Sequence, residues 1–221
     1  MKRVFEQLGL KFDARGGKRR GAGRKPTGAN AGMPHRPRPP LAGRFPVHVT
    51  LRVHAHVWSL RSRRSFRRIA AAFKGIRGRQ SFRLAEYAIL GNHLHLIVEA
   101  SDERSLARGL QALEIRIAKG LNKMMGRRGA VFADRYHAHI LRTPTEVANA
   151  LGYVRGNFAV HAARRGEAAP AGLDEYSSAA LVARALPRGQ DGPLVSAPRT
   201  WLLDLGWRRA RGLGAGEARA N

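Results

Sequence analysis

Residues 82–100 read FRLAEYAILGNHLHLIVEA. Two apolar-rich runs, 82–90 and 93–100, flank Gly91-Asn92, a dipeptide suited to a tight turn, so the stretch reads as two consecutive strands. In the second run His93 and His95 fall on one strand face, while Leu94, Leu96 and Val98 fall on the other. The leucines anchor the strand in a core beneath. Two imidazoles about 7 Å apart on the opposite face can converge on one cation from a rigid platform.

The same alternation marks the start of the domain. From Val47 to Val53 the run VHVTLRV alternates apolar and polar residues, the pattern of a half-buried strand. Phe66, Ile69, Ala70 and Phe73 then fall at helical spacing, with Gly75 and Gly78 as a stop. After the strand pair, Ser101 reads as an N-cap, with Asp102 and Glu103 in a first turn where the helix dipole favours acids. Leu106, Leu110, Leu113, Ile117, Leu121 and Met124 carry that helix onward in steps of three and four. Residues 131–141 read as the last strand. Thr143-Pro144-Thr145-Glu146 fits a capping box, with Thr143 as N-cap and Glu146 reaching back. The order is β-α-β-β-α-β-α. Its simplest topology is an α+β fold with an antiparallel sheet and helices on one face, a ferredoxin-like (RRM-like) arrangement. That arrangement leaves the other sheet face open for a substrate.

Composition sets the organisation around this core. Of 221 residues, 41 are Lys or Arg and 15 are Asp or Glu, a net charge of +26. Such an excess self-repels and calls for a polyanionic partner, so nucleic acid is expected. With no cysteine, disulfides and thiolate metal sites are excluded. No apolar run approaches the roughly 18 residues of a membrane span, and the N-terminus lacks an apolar signal core. A cytoplasmic, nucleoid-associated location and no membrane partner are the expectation. Residues 1–45 read as a flexible basic arm, with GGKRRGAGRK from Gly16 to Lys25 and prolines at Pro34, Pro37, Pro39 and Pro40. Residues 46–163 hold the periodic patterns and are expected to form the folded domain. Residues 164–221, rich in Ala, Gly and Pro, form a C-terminal tail that could dock on the core.

The last helix carries the second half of a candidate site. Val147, Leu151, Val154 and Phe158 mark its buried stripe. Tyr153, Asn157 and His161 are spaced by four and stack on a flanking face. A tyrosine there could act as a covalent nucleophile, and an amide one turn on could give a metal a third, oxygen ligand. Two further histidine pairs share the spacing of His93 and His95 but enclose a small alanine. His54-Ala55-His56 reads as a strand end or nucleic-acid contact, and His137-Ala138-His139 could line a substrate groove.

The segments GNHLHLIVE (91–99), RYHAHIL (135–141) and LGYVRGNFAVHA (151–162), in this order and spacing, resemble the single-tyrosine HUH transposases, in particular the REP-associated tyrosine transposases and their relatives. The resemblance covers about residues 46–163. It implies that His93 and His95 bind a divalent cation, Mg²⁺ or Mn²⁺, and that Tyr153 and Asn157 are the family's Tyr-x-x-x-Asn motif. The family often continues with Asn-Pro-Val-Arg-Ala-Gly. Here Asn157-Phe158-Ala159-Val160-His161 carries no proline, so the helix is expected to run on. The implied reaction is attack by Tyr153 on a single-stranded DNA phosphate, giving a 5′-phosphotyrosine link and a free 3′-OH that can later reverse the step. Family members often work as dimers in which the tyrosine helix of one subunit completes the site of the other, so a homodimer is a further expectation.

Substrate contacts follow from the charge. Arg61, Arg63, Arg64, Arg67 and Arg68 cluster before and within the first helix as candidate phosphate contacts, and Tyr136 could stack on bases. Lys18, Arg19, Arg20, Arg24 and Lys25 of the arm could grip the flank of a DNA hairpin or duplex. Two other readings compete. A non-catalytic RRM-like module would expose aromatics at strand centres. A relaxase or replication initiator of the same chemistry is usually larger, with three-histidine motifs or paired tyrosines.

Overall fold

The computed structural model describes residues 39–164, 166, 172–179 and 194–212. Four strands form one antiparallel sheet: β1 (Val47–Arg52), β2 (Phe82–Ile89), β3 (His93–Ala100) and β4 (His137–Ile140). Their spatial order is β2-β3-β1-β4. The long helices are α1 (Arg63–Lys74), α2 (Glu103–Met125) and α3 (Pro144–Arg164). A π-helical turn, Leu202–Gly206, runs into the short α4 (Trp207–Ala210). The fold is therefore α+β. Among the described residues no helix is long and apolar enough to cross a membrane.

The first face of the sheet follows directly from sequence alternation. Val47, Val49 and Leu51 of β1 and Leu94, Leu96 and Val98 of β3 point into one core with Ile69 and Phe73 of α1 and Leu106, Leu110, Leu113, Ile117 and Leu121 of α2. Leu41 belongs to the same core, and its N–H donates to Glu103. The crossing of α2 over β2 is close: a Cβ added at Gly109 would lie 2.1 Å from Phe82 Cγ. The cap of α2 lies one residue beyond the expected Ser101. Asp102 takes that place, accepting from the Ser105 N–H at 2.6 Å. A carboxylate is the stronger acceptor for an orphan helix N–H, which favours this register. The last strand is also shorter than residues 131–141, because only residues 137–140 pair with β1, while Phe132 makes an isolated bridge to Val53.

The second face departs from expectation. Helices do not occupy one face only. Val147, Ala150, Leu151 and Val154 of α3 pack on Ala85, Ala88 and Ile97, on the side of the sheet away from α1 and α2, together with Leu202 and Leu203. The physical cause is that β2 and β3 carry apolar residues on both faces, so leaving the second face bare would expose them to water. The expected capping box of α3 is formed: Thr143 N–H donates to Glu146 Oε2 at 3.0 Å and Glu146 N–H to Thr143 Oγ1 at 3.2 Å. Phe158 of the expected stripe has a side chain outside the described residues.

Two buried carboxylates tie the C-terminal segments to this face. Glu99 accepts from the backbone N–H groups of Arg199 (3.0 Å) and Thr200 (2.7 Å), just before the π-helical turn, where helix N–H groups lack internal partners. Glu86 pairs with Arg155 of α3 at 2.5 Å and accepts from the Ser178 hydroxyl.

Candidate active site

Among the described residues, the part of the second face that no helix core covers lies toward β1 and β4, and histidines fill it. Antiparallel register places Thr50 of β1 opposite His95 of β3 and Arg52 opposite His93. On its other side, β1 sets His48 opposite His139 and Thr50 opposite His137. His93 and His95 do share a face, with ring centroids 4.8 Å apart and planes at 88°.

His95 is the hub. Its Nδ1 stands 3.2 Å from Thr50 Oγ1 and 3.2 Å from His48 Nε2. Burial lowers the pKa of His48, and the nearby His139 lowers it further, so His48 is held neutral. A neutral His48 and a hydroxyl can both accept from His95 Nδ1–H, and that tautomer leaves the lone pair of His95 on Nε2. Nε2 faces the Tyr153 hydroxyl, 3.5 Å away, and the Tyr153 ring meets those of His95 and His48 edge-on at 5.0 Å and 5.9 Å. His93 is oriented similarly. Its Nδ1 donates to Asn92 Oδ1 at 2.8 Å, which leaves the lone pair on Nε2. Second partners of this kind are what orient an imidazole for a metal.

Tyr153 is 40% exposed, whereas Asn157, one turn later, is 0% exposed, so the two do not share one solvent-facing stripe. Neither Oδ1 nor Nδ2 of Asn157 has a hydrogen-bond partner. An unpaired buried amide costs about 1–3 kcal/mol, so this group is open to a water or a ligand. Among the described residues no three of His, Cys, Asp and Glu could hold a metal ion together. A third donor to the histidine pair would have to be of another type, and an amide oxygen suits a hard divalent cation. Tyr153 and His95 meet within a single chain.

The remaining candidates are dispersed. Arg61 is engaged within the protein. Its guanidinium makes a bidentate pair with Asp174 (2.9 and 2.7 Å), donates to Ile89 O at 3.0 Å and lies 4.5 Å over the Tyr176 ring. Tyr136 packs against the α1–α2 core with its hydroxyl buried. Arg63, Arg64, Arg67 and Arg68 are exposed, but on α1, across the sheet from Tyr153. His54 and His56 stack on each other at 5.1 Å just beyond β1, and His137 and His139 lie exposed on the edge strand β4. Lys18, Arg19, Arg20, Arg24 and Lys25, and the side chain of His161, lie outside the described residues. His48 and Thr50 are the functional candidates that motif reading missed. Alternation marks them as polar, but only the β1–β3 pairing brings them to His95.

No family model matches the chain, and neither does any curated protein. Seven solved chains do. One is the structure of a REP-associated tyrosine transposase bound to a REP hairpin, with a TM-score of 0.55 and 13% sequence identity over 75% of this chain and 93% of that one. At that identity the likeness is one of fold.

Proposed function

We propose that this protein is a metal-dependent single-stranded DNA endonuclease and strand transferase that works through a 5′-phosphotyrosine link to Tyr153. The observation that carries the reading is the Tyr153 hydroxyl, 3.5 Å from the Nε2 of His95 on the face that also bears His93. The split β-α-β order, β2-β3-β1-β4, supports a ferredoxin-like scaffold, and the fold is shared with a hairpin-bound REP-associated tyrosine transposase. The net charge of +26 supports single-stranded or hairpin DNA as the substrate.

In this reading His93 and His95 hold Mg²⁺ or Mn²⁺ through Nε2, and the unpartnered amide of Asn157 supplies the third donor. The cation, when bound, polarises the phosphate oxygens. Tyr153 is the nucleophile: its phenolic oxygen bonds to phosphorus as the P–O3′ bond breaks. The phenolic proton leaves to water, which a ring 40% exposed can reach, and the departing 3′-oxygen takes up a proton. Thr50 and His48 keep the His95 ring and tautomer fixed. The link conserves phosphodiester energy, so a 3′-OH can reverse the step and join strands.

The competing RRM-like module is served equally by the net charge of +26 but leaves the approach of Tyr153 to His95 without a role. It calls for exposed aromatics at strand centres, whereas Phe82 and Tyr87 are buried in the α1–α2 core and the second face of β1 presents His48 and Thr50. The test is incubation with labelled single-stranded hairpin DNA and Mn²⁺, a denaturing gel, and peptide mapping of the adduct. We expect an adduct on Tyr153 that Tyr153→Phe abolishes while affinity stays within about twofold, since one exposed hydroxyl adds little to a phosphate-dominated complex. Tight binding without any adduct, or an adduct on another tyrosine, would refute the proposal.

A further inference from the structure

Helix α1 reads RRSFRRIAAAFK, with no acidic residue in its first turn and cations at Arg63, Arg64, Arg67 and Arg68. A helix N-terminus repels positive charge, so this distribution costs helix stability and is not explained by folding. Ser65, Ile69, Ala72 and Phe73 form the buried stripe, which leaves the arginines on the outer surface. There α1 meets the end of α2. A shallow concavity of about 350 Å³ is lined by Arg64, Arg67, Arg68, Lys123 and Met124, four cations and no carboxylate. The helices approach closely at this point, because a Cβ at Gly120 would lie 3.2 Å from the Cβ of Arg68. Among the described residues no acid pairs with any of these four cations, in contrast to Arg61, Arg83 and Arg155.

A second feature lies alongside. Trp58 is 50% exposed, and the Arg64 guanidinium stands 5.7 Å from its ring. The loop that carries Trp58 is fixed to the turn before His93. Leu60 N–H donates to Gly91 O and Val53 N–H to Asn92 O, each at 2.9 Å. An exposed aromatic beside unpaired cations is the pattern that takes single-stranded nucleic acid, with a base on the ring and phosphates on the cations.

We infer that Trp58, Arg64, Arg67, Arg68 and Lys123 form a second DNA-binding track, on the helical side of the sheet, that holds an unpaired stretch of the substrate strand away from the phosphate being cut. It rests on the proposed action on single-stranded DNA and extends it. The strand crosses the end of β3 at Trp58, so the track and the His93–His95 face engage successive parts of one molecule. Cleavage or joining needs none of these five side chains. They set affinity and the length of strand required.

The test compares the full chain with Arg67→Ala/Arg68→Ala/Lys123→Ala, measuring the anisotropy of labelled single-stranded oligonucleotides across a salt series. Each lost phosphate contact lowers the slope of log affinity against log salt by about 0.7 for single strands, so the slope should fall by about 2 and affinity roughly tenfold at moderate salt. Arg67→Lys/Arg68→Lys should keep the slope. Trp58→Ala should weaken binding at least about fivefold with the slope unchanged, the mark of a stacking contact. Adduct formation by the unaltered protein is measured in parallel. An unchanged salt slope in the triple variant, with a Tyr153 adduct in the parent, overturns the track and leaves the nuclease standing. A reduced slope with no parental adduct upholds the track and removes the nuclease.

Discussion

Replacing Arg61 by Ala separates a structural arginine from a DNA-binding one. The Arg61 side chain is 18% exposed and that of Asp174 is 8% exposed. Removing the guanidinium leaves a nearly buried carboxylate without its bidentate partner. For a fully buried pair that loss is about 3–5 kcal/mol, and the residual exposure of Arg61 brings it to about 2–3 kcal/mol. The Ile89 carbonyl loses its side-chain donor and the Tyr176 ring its cation, each worth on the order of 0.5–1 kcal/mol. These terms overlap, so we expect about 3 kcal/mol in total. A chain of this size should then melt roughly 6–12 °C lower. The assay is thermal unfolding of Arg61→Ala, Asp174→Ala and the double variant, beside oligonucleotide affinity at a temperature where all are folded. The double variant should recover part of the loss, because no charge is left stranded. Affinity should change less than about twofold. Melting within a degree of the parent, with affinity down tenfold, would show that Arg61 is a phosphate contact and would refute the reasoning.

Asn157→Ala should leave the metal-free protein within about 1 kcal/mol of the parent, since the lost packing is offset by removal of an unpaired buried amide. Mn²⁺ at 100 times its Kd should stabilise the parent by about 2.7 kcal/mol. The variant should show less than half of that shift in a thermal melt, and equal shifts would remove Asn157 from the metal site. Glu146→Gln tests the capping box. Hydrogen bonds from the backbone N–H groups, that of Arg142 first, hold the Glu146 carboxyl below its ordinary 4.5. A depressed carboxylate pKa contributes stability above about pH 4.5 and loses it as pH falls through the folded value. Glu146→Gln should therefore cost about 0.5–1 kcal/mol at pH 7 and flatten stability against pH below 4.5; an unaltered acid limb in urea titrations would sink this account.

Much of the fold is legible from periodicity alone. Strand β1 alternates strictly, and its burial alternates too, with Val47, Val49 and Leu51 buried while His48, Thr50 and Arg52 are not. The leucine stripe of α2 and the capping box of α3 are formed as their spacings dictate. The position of α3 was less accessible, yet a signal existed. In β3 Leu96-Ile97-Val98 breaks alternation, and in β2 Ala85 and Ala88 add small apolar residues to the second face. Strands buried on both sides read in this way, as near-continuous apolar runs. The arginines show the opposite problem. Arg61 stands two residues before α1 and resembles Arg63 and Arg64 in every local respect, and only the fold brings Asp174 to it from 113 positions away.

The candidate site depends on where α3 lies and how it is rotated. Tyr153, Val154 and Arg155 are consecutive, and each serves a different contact. Val154 points into the core against β2 and β3. Tyr153 and Arg155 lie about 200° apart around the helix axis, so they leave the helix on opposite flanks. Sheet order gives each flank its partner: Arg155 meets Glu86 on β2, while Tyr153 reaches His95 on β3 and His48 on β1. The Glu86–Arg155 pair therefore resists the same rotation that would carry the Tyr153 hydroxyl away from His95. A partly buried ion pair is a costly way to stabilise a helix, and an apolar pair would often do so better. In the proposed reaction, a fixed pivot for Tyr153 gives the pair a role that stability alone does not supply. The motif Tyr-x-x-x-Asn points to Tyr153, and the Arg155–Glu86 pair two positions on fixes the rotation that sets its hydroxyl beside His95.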